Sequence, residues 1–262
     1  MKKQQAAPAP AAKSQPSVTS TVLFYSQAVL LAGVIALIPT AIARNKIFHD
    51  PLSIWESAVK SAPNKRRTHE NYGQALSTAG KLNEALTQFK TVLALPDDGS
   101  VPMRDVYREI GVVYFRLGLI DESIIAWQKG LFYANGDAGV LNNLAIAYMR
   151  QGRLDEALSH AQMAVSVAPF MPEPVNTMGE IYMATKRYAE AANSFLKYVQ
   201  MRPEDGRGYW NAGLAFERAG DLDKAYQLIN RFLATDPDPN GRQQAQNLLM
   251  NLQARMGKNV QR

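Results

Sequence analysis

The sequence predicts an all-α protein: a right-handed superhelical solenoid of stacked helix pairs, preceded by one transmembrane helix. Small residues recur at a constant interval through the middle of the chain, and an uncharged run stands near the amino terminus, at 21–43. No segment shows the alternation of polar and apolar residues that marks a half-buried strand. The 262 residues are 47% hydrophobic and 20% charged, which is typical of a folded chain.

The charge distribution argues against nucleic-acid binding. The net charge is +6, but residues 1–50 carry +4 of it, and the rest of the chain carries only +2. A folded region so close to neutral lacks the basic patch that a polyanion requires. Cysteine is absent, and the three histidines stand far apart in the sequence. Disulfides, thiolate metal sites and a cysteine nucleophile are therefore excluded.

The amino-terminal segment predicts a membrane anchor. Residues 1–20 form an Ala/Pro-rich tail that we expect to be disordered. Residues 21–43 carry no charge, and a helix of this length, rising about 1.5 Å per residue, spans a ~30 Å hydrocarbon layer. We therefore expect a signal-anchor helix at 21–43. A cleavable signal peptide is the alternative, because Ala41-Ile42-Ala43 matches a cleavage site and Pro39 precedes it.

The orientation and packing of this helix follow from its flanks and its small residues. Lysines before the span nearly balance Arg44 and Lys46 after it, so the charges do not decide the orientation. We expect a cytoplasmic tail because a short tail is easily retained, and the reverse orientation is the alternative. Small residues within the span would let another helix approach closely, in an oligomer or a membrane complex. This predicted packing stripe consists of Ala28, Ala32, Gly33 and Ala36.

Internal repeats organise residues 66–238. Gly111, Ala145, Gly179 and Gly213 follow one another at a constant interval, and Gly73 precedes the first of them by that interval plus four residues. A large residue follows each of these positions three residues later, and a second small residue follows twelve residues later. Each repeat therefore predicts two amphipathic helices joined by a short turn. One such pair cannot bury its apolar face alone, so successive pairs must stack.

These features resemble the tetratricopeptide repeat (TPR), a unit of about 34 residues that has a small residue before an aromatic, a later alanine and a closing proline. Gly152-Arg-Leu-Asp-Glu-Ala157 is one of four segments that match its turn and the start of its second helix. Repeat two departs from the pattern by ending in Asn135-Gly136, and repeat four by Thr185 at the turn glycine. The resemblance implies five full repeats over 66–238.

The flanks of the repeats predict partial units. Trp55 precedes Phe89 by one repeat length, so residues 44–65 are expected to hold a linker and half a repeat. Residues 239–262 are expected to form a capping helix and a tail, with Leu248, Leu249 and Leu252 covering the last repeat.

A narrower resemblance begins with the segment Ala43–Trp55 and runs into Lys60–Pro63 and Arg67–Gly73. It is similar to the junction after the last membrane helix of large multi-pass TPR proteins of glycosyltransferase type, whose repeats face away from the cytoplasm. This implies repeats on the extracytoplasmic side. The multi-span catalytic portion is missing from this sequence, so no glycosyl transfer is implied.

The resemblance places the first helix of each repeat on a concave surface. Asparagine both donates and accepts hydrogen bonds to a peptide, methionine and aromatic side chains give adaptable apolar contact, and arginine favours acidic partner residues. A merely solvated face is the alternative. The residues predicted to form this partner-binding groove are Asn71, Phe115, Arg116, Asn142, Asn143, Met149, Arg150, Asn176, Met183, Trp210 and Asn211.

The sequence holds no signature of catalysis. It has no phosphate-binding glycine loop, no nucleophile elbow and no two-histidine helix face. We expect no enzyme, metal or cofactor, but a scaffold or adaptor in the bacterial inner membrane that binds a peptide segment or the subunits of a membrane or envelope complex. The alternatives are a cleaved periplasmic adaptor and the protein-binding arm of a membrane enzyme whose catalytic part is another chain.

Overall fold

The computed structural model describes residues 50–134, 136–235 and 237–259. For residues 258 and 259 it describes the backbone alone. The described chain is α-helical, with twelve helices and no strand. Its contacts divide it into two units, with the boundary between Ala58 and Val59. The first described helix, α1, spans Pro51–Ser61, where the sequence predicted the second helix of a partial repeat.

Ten helices form five consecutive pairs, and one longer helix follows them. The pairs are α2 Arg66–Thr78 with α3 Leu82–Ala94, α4 Met103–Arg116 with α5 Ile120–Tyr133, α6 Ala138–Arg150 with α7 Leu154–Val167, α8 Pro172–Ala184 with α9 Tyr188–Met201, and α10 Gly206–Ala219 with α11 Leu222–Ala234; α12 spans Pro239–Asn259.

The helices of the second unit stack in the order of the sequence. From α2 to α12, each helix packs against the next one along the chain. Among the described helices that are not sequence neighbours, the more extensive contacts join first helices: α2 contacts α4, and α6 contacts α8. The first helices of repeats one and two therefore lie side by side, as do those of repeats three and four, which is the arrangement of a solenoid.

In repeats one, two, four and five, the core contains a glycine that faces a large side chain across the helix pair. A Cβ built on Gly179 would lie 2.6 Å from Cε1 of Phe195, and a Cβ on Gly213 would lie 2.6 Å from Cδ1 of Ile229. Both distances are shorter than packed carbon atoms tolerate, so only glycine permits these helix separations. Phe195 and Ile229 are in turn almost completely buried.

Repeat three has alanine at both of the corresponding positions. Ala145 occupies the position of the helix glycines, and Ala161 occupies the position that holds an aromatic ring in the neighbouring repeats. Both side chains are fully buried. The methyl group on the first helix is therefore accommodated because the second helix has lost its ring.

The turn between the two helices of a repeat uses a left-handed backbone conformation. Four turns place glycine there, for example Gly152 with φ of 75° and Gly220 with φ of 90°. In repeat four the equivalent residue is Lys186, with φ of 61°. The sequence interpretation that placed Thr185 at this position is wrong by one residue, since Thr185 lies one step earlier with φ of −86°.

Two arginines hold the longer linker between repeats one and two. The fully buried Arg66 donates from Nε to the carbonyl oxygen of Val92 at 3.1 Å and pairs through Nη1 with Asp97. Arg67 donates to the carbonyl oxygen of Ser100. The four extra residues thus form a loop fixed to the start of α2.

The last helix covers the final repeat as predicted. Leu252 is fully buried, and Leu248 packs against the cluster that contains Phe216 and Leu222. The glutamines on the opposite face, such as Gln243 and Gln246, are exposed. This division of apolar and polar faces is the one expected of a capping helix.

Several predictions concern residues outside the described part of the chain. These are the tail at 1–20, the transmembrane helix at 21–43, and the packing stripe of Ala28, Ala32, Gly33 and Ala36. Of the helices in the described residues, none is both long enough and apolar enough to cross a membrane.

The fit between small and large residues predicts the effect of adding one methyl group. Gly179→Ala should destabilise the protein by about 1–3 kcal/mol because the methyl group overlaps the ring of Phe195. Urea unfolding followed by circular dichroism measures this change. The same substitution at Gly257 is the matched control, since a Cβ there meets no atom within 4 Å. Equal stability of the two variants would contradict the proposed overlap.

Candidate functional site

The repeat places equivalent residues side by side on neighbouring first helices. Asn142 on α6 is equivalent to Asn176 on α8, and Ile146 on α6 is equivalent to Glu180 on α8. All four line one cavity of about 330 Å³. Asn211 of repeat five lines the same cavity, so the first helices of repeats three to five form a groove.

Two cavities define this groove. The first cavity is lined by Asn142, Ile146, Glu173, Asn176, Thr177, Glu180, Tyr198, Asp205, Arg207 and Asn211. The second cavity, of about 260 Å³, is lined by Glu180, Met183, Phe195, Asn211 and Leu214. Because Glu180 and Asn211 belong to both sets, the cavities adjoin one another along the groove.

Asn142 is the least satisfied polar group in the groove. The residue is only 6% exposed, and its Oδ1 has no hydrogen-bond partner among the described residues. A buried amide oxygen without a partner costs about 1–3 kcal/mol. A donor that enters the first cavity, such as a peptide N–H, would remove that cost.

The neighbouring asparagine is already engaged. Asn176 Nδ2 donates to Oε1 of Glu180 at 2.7 Å, four residues further along the same helix. This bond orients the carboxylate of Glu180, and both residues line the first cavity. The groove thus presents amide and carboxylate oxygens, which accept hydrogen bonds.

One wall of the first cavity is a hydrogen-bonded triad at the start of α10. Asp205 caps this helix by accepting from the backbone N–H of Arg207 at 3.0 Å, and its Oδ2 accepts from the Tyr198 hydroxyl at 2.6 Å. The Arg207 guanidinium holds the pKa of Asp205 down at about 2. Burial, together with the hydrogen bond to Asp205, raises the pKa of Tyr198 to about 12.

Models of the tetratricopeptide repeat match residues 71–134, 138–168 and 176–240, more than half of the chain. The chain belongs to the tetratricopeptide repeat family. TPR proteins are typically non-catalytic scaffolds for protein interactions, and within the described residues no cluster of His, Asp and Glu could hold a metal ion. Among curated proteins, none matches the sequence.

Solved structures with the same architecture include other TPR proteins. MamA is 20% identical over 65% of this chain and 91% of its own, with a TM-score of 0.57. YrrB, a TPR protein with an unusual peptide-binding site, is 20% identical over 74% of this chain and 97% of its own, with a TM-score of 0.57. The C-terminal part of a TPR repeat-containing protein from Cytophaga hutchinsonii is 12% identical over 80% and 92%, with a TM-score of 0.61. At these identities the likeness establishes the fold.

The predicted arginines of the TPR groove are engaged by the protein itself. Arg116 donates from Nη1 to the carbonyl oxygen and the hydroxyl of Ser77, at 2.7 and 3.0 Å. The Arg150 guanidinium lies 4.8 Å above the ring of Phe115. Phe115 and Met149 are partly buried against the core of repeats two and three. This part of the predicted groove is therefore more apolar than its arginines suggested.

The remaining predicted groove residues lie apart from the two cavities. Trp210 packs against Phe232 of its own repeat, with ring centroids 5.2 Å apart. Asn71 and Asn143 are partly buried on their first helices and line neither cavity. Asn142, Asn176, Met183 and Asn211 are the predicted residues that the cavities bring together.

Seven residues of the first cavity are not among the groove residues predicted from the sequence: Ile146, Glu173, Thr177, Glu180, Tyr198, Asp205 and Arg207. Tyr198 lies on a second helix, which the repeat pattern assigns to the outer surface. Asp205 precedes a first helix as its cap. The only sequence signal was Asp205-Gly206 at the start of a repeat, which marks a helix boundary rather than a binding site.

The Asp205 triad predicts a pH-dependent contribution to stability. Because the pKa of Asp205 falls from 3.8 to about 2 on folding, its charge stabilises the folded state above about pH 4 and loses this effect as the pH falls to about 2. Asp205→Asn keeps a capping side chain but removes the charge, and should cost about 1 kcal/mol at neutral pH. Urea unfolding at a series of pH values measures the difference from wild type.

Asp155→Asn is the control, because Asp155 is exposed in the first turn of α7. The difference between Asp205→Asn and wild type should shrink with acidification. A difference that stays constant down to about pH 2 would show that the ionised carboxylate of Asp205 is not its source.

Proposed function

We propose that this protein is a single-pass, membrane-anchored TPR scaffold that binds peptide segments of partner proteins in the groove of repeats three to five. The observation that carries this proposal is the buried, unpartnered Oδ1 of Asn142, a residue that lines the first cavity. Buried polar groups in folded proteins are almost always hydrogen-bonded, so an exception in a groove favours a ligand that supplies the missing donor.

The surroundings of Asn142 suit an extended peptide. Asn176 and Asn211 carry amide groups along the same groove, on the next two first helices. Met183 and Leu214 provide apolar surface in the adjoining cavity. Side-chain amides pair with a peptide backbone of any sequence, and apolar side chains select among the partner's residues. YrrB, which has a similar fold, is itself a peptide-binding TPR protein.

The groove extends in this proposal toward repeat two. Met149 and Phe115 stand at positions equivalent to Met183 on the preceding first helices. Their partly buried side chains would continue the apolar contact of the second cavity. Arg150, which covers the Phe115 ring, would then lie beside the bound segment.

The membrane part of the proposal rests on the sequence. The uncharged segment 21–43 has the length of a membrane span, and basic residues flank it on both sides. The anchor would hold the repeats at the surface of the bacterial inner membrane, on its extracytoplasmic side. A scaffold so placed suits an assembly factor or an accessory subunit of an envelope complex.

A paired set of variants tests the groove. Asn142→Ala with Met183→Ala removes an amide and an apolar side chain from the groove and should weaken partner binding by more than about 1 kcal/mol. Gln162→Ala with Met163→Ala removes the same chemistry from exposed positions on α7 and should leave binding unchanged. Co-purification of cross-linked partners from intact membranes, quantified by mass spectrometry, gives the readout.

Thermal unfolding must first show that both double variants are folded. Full partner recovery by the folded groove variant would contradict the proposal and would move the binding surface to another face. Equal loss in both variants would indicate a general defect rather than a groove.

Fractionation tests the anchor. The protein should stay in the membrane pellet after carbonate and high-salt washes, because a hydrophobic span resists both treatments. The intact mass should include residues 21–43. A mature chain beginning at Arg44 would instead indicate a cleaved signal peptide and a periplasmic adaptor. Protease added to the cytoplasmic face of sealed vesicles should leave the repeats intact, and their digestion would reverse the orientation.

A further inference from the structure

The groove of repeats three to five is rich in carboxylates. Glu173, Glu180 and Asp205 line the first cavity, whereas Arg207 is the cationic residue in its wall. This differs from the acidic preference that the arginines of repeats two and three suggested, because Arg116 and Arg150 are held by Ser77 and Phe115. The excess charge that a ligand would meet in the cavity is therefore negative.

Two of the three carboxylates already have cationic partners. Asp205 receives two hydrogen bonds from the Arg207 guanidinium, from Nε at 3.2 Å and from Nη2 at 3.0 Å. Glu173 lies 3.8 Å from Arg202, measured from carboxylate oxygen to guanidinium nitrogen. Within each of these pairs, the negative charge of the carboxylate is offset by the positive charge of the guanidinium.

Of these three carboxylates, Glu180 is the one that forms no salt bridge with a described residue. Its hydrogen-bond donor is the neutral amide of Asn176, at 2.7 Å. The negative charge of Glu180 also acts on Arg207 at longer range. The Arg207 guanidinium, however, donates its hydrogen bonds to Asp205. A partly buried carboxylate gains most from a cationic ligand that replaces the water around it.

The surroundings of Glu180 match a long cationic side chain. Glu180 stands where the two cavities meet, and the second cavity adds the apolar side chains of Met183, Phe195 and Leu214. Lysine and arginine carry an apolar stem and a charged head, and they bury the stem on apolar surface while the head reaches a polar group. A purely apolar side chain would leave the Glu180 carboxylate without a cationic partner. An acidic side chain would place a second negative charge beside it.

We infer that the groove binds a peptide segment carrying lysine or arginine, whose cationic head pairs with Glu180 while its stem lies along Met183 and Leu214. The amides of Asn142 and Asn211 then bind the peptide backbone on either side. This inference deepens the proposed function and rests on it, since it names the chemistry of the segment that the groove selects.

The experiment uses the full-length protein in nonionic detergent and an array of random linear peptides. Binders should be enriched in lysine and arginine. The strongest lysine-containing binder is then resynthesised with norleucine, which keeps the stem and removes the ammonium group. Wild type should bind the norleucine peptide about tenfold more weakly, because a charge-assisted pair across an interface is lost.

Glu180→Gln is the test variant, because the amide oxygen still accepts the hydrogen bond from Asn176. This variant should bind the lysine and norleucine peptides with equal affinity. Glu190→Gln is the matched control: it removes the same charge in the same repeat from an exposed pair with Arg187 on α9, and it should discriminate like wild type. Unfolding curves establish that both variants are folded.

The outcomes separate the inference from the proposed function. Peptides that lose affinity with Asn142→Ala but show neither basic enrichment nor coupling to Glu180 would overturn the inference and leave the peptide-binding groove standing. Peptides whose affinity is unchanged by Asn142→Ala and Met183→Ala would overturn both the inference and the proposed function. An array without binders would also overturn both. Coupling between Glu180 and the lysine ammonium supports both.

Discussion

The close approach of the two helices in four of the five repeats depends on one glycine facing one large residue. At Gly179 and Gly213 the facing side chain fills the space that a Cβ would need. This contact sets the separation of the helices within a pair, and its glycine stands at the same position in repeats one, two, four and five. Because the pairs stack in sequence order, the contact also determines where the first helices stand relative to each other. The groove is a consequence of that arrangement.

Periodicity allowed the fold, and part of the groove, to be predicted from the sequence. Helix pairs, turns and the capping helix all follow from the spacing of small, aromatic and leucine residues, which packing requires in every repeat. Positions such as Asn142 and Asn176 could be assigned to the groove because they recur on first helices. Trp210 occupies the equivalent position in repeat five, but its ring packs on Phe232 instead. A repeat pattern identifies which residues lie on the first helices. It does not identify which of the neighbouring residues each of their side chains packs against.

The charge of the groove could not be predicted in the same way. Arg116 and Arg150 have the right spacing for a basic groove, yet each makes a contact across a repeat boundary that the sequence does not reveal. The cavity wall also includes Tyr198 from a second helix and Asp205 from a helix cap. Their positions depend on hydrogen bonds between side chains, and such bonds leave no periodic signal. The residues that determine which ligand the groove binds are thus those whose positions depend on contacts between repeats and not on the repeat pattern.

The paired alanines of repeat three constrain the order in which this repeat could acquire the packing of its neighbours. A change of Ala161 to phenylalanine while Ala145 is present would force a ring against a methyl group, which overpacks the core. A change of Ala145 to glycine first costs only about 1 kcal/mol in a helix interior and opens the space that the ring needs. One mutational route to the common packing therefore passes through a tolerable intermediate, and the other passes through a clash. The repeats can diverge in sequence only along paths on which both helices change in the right order.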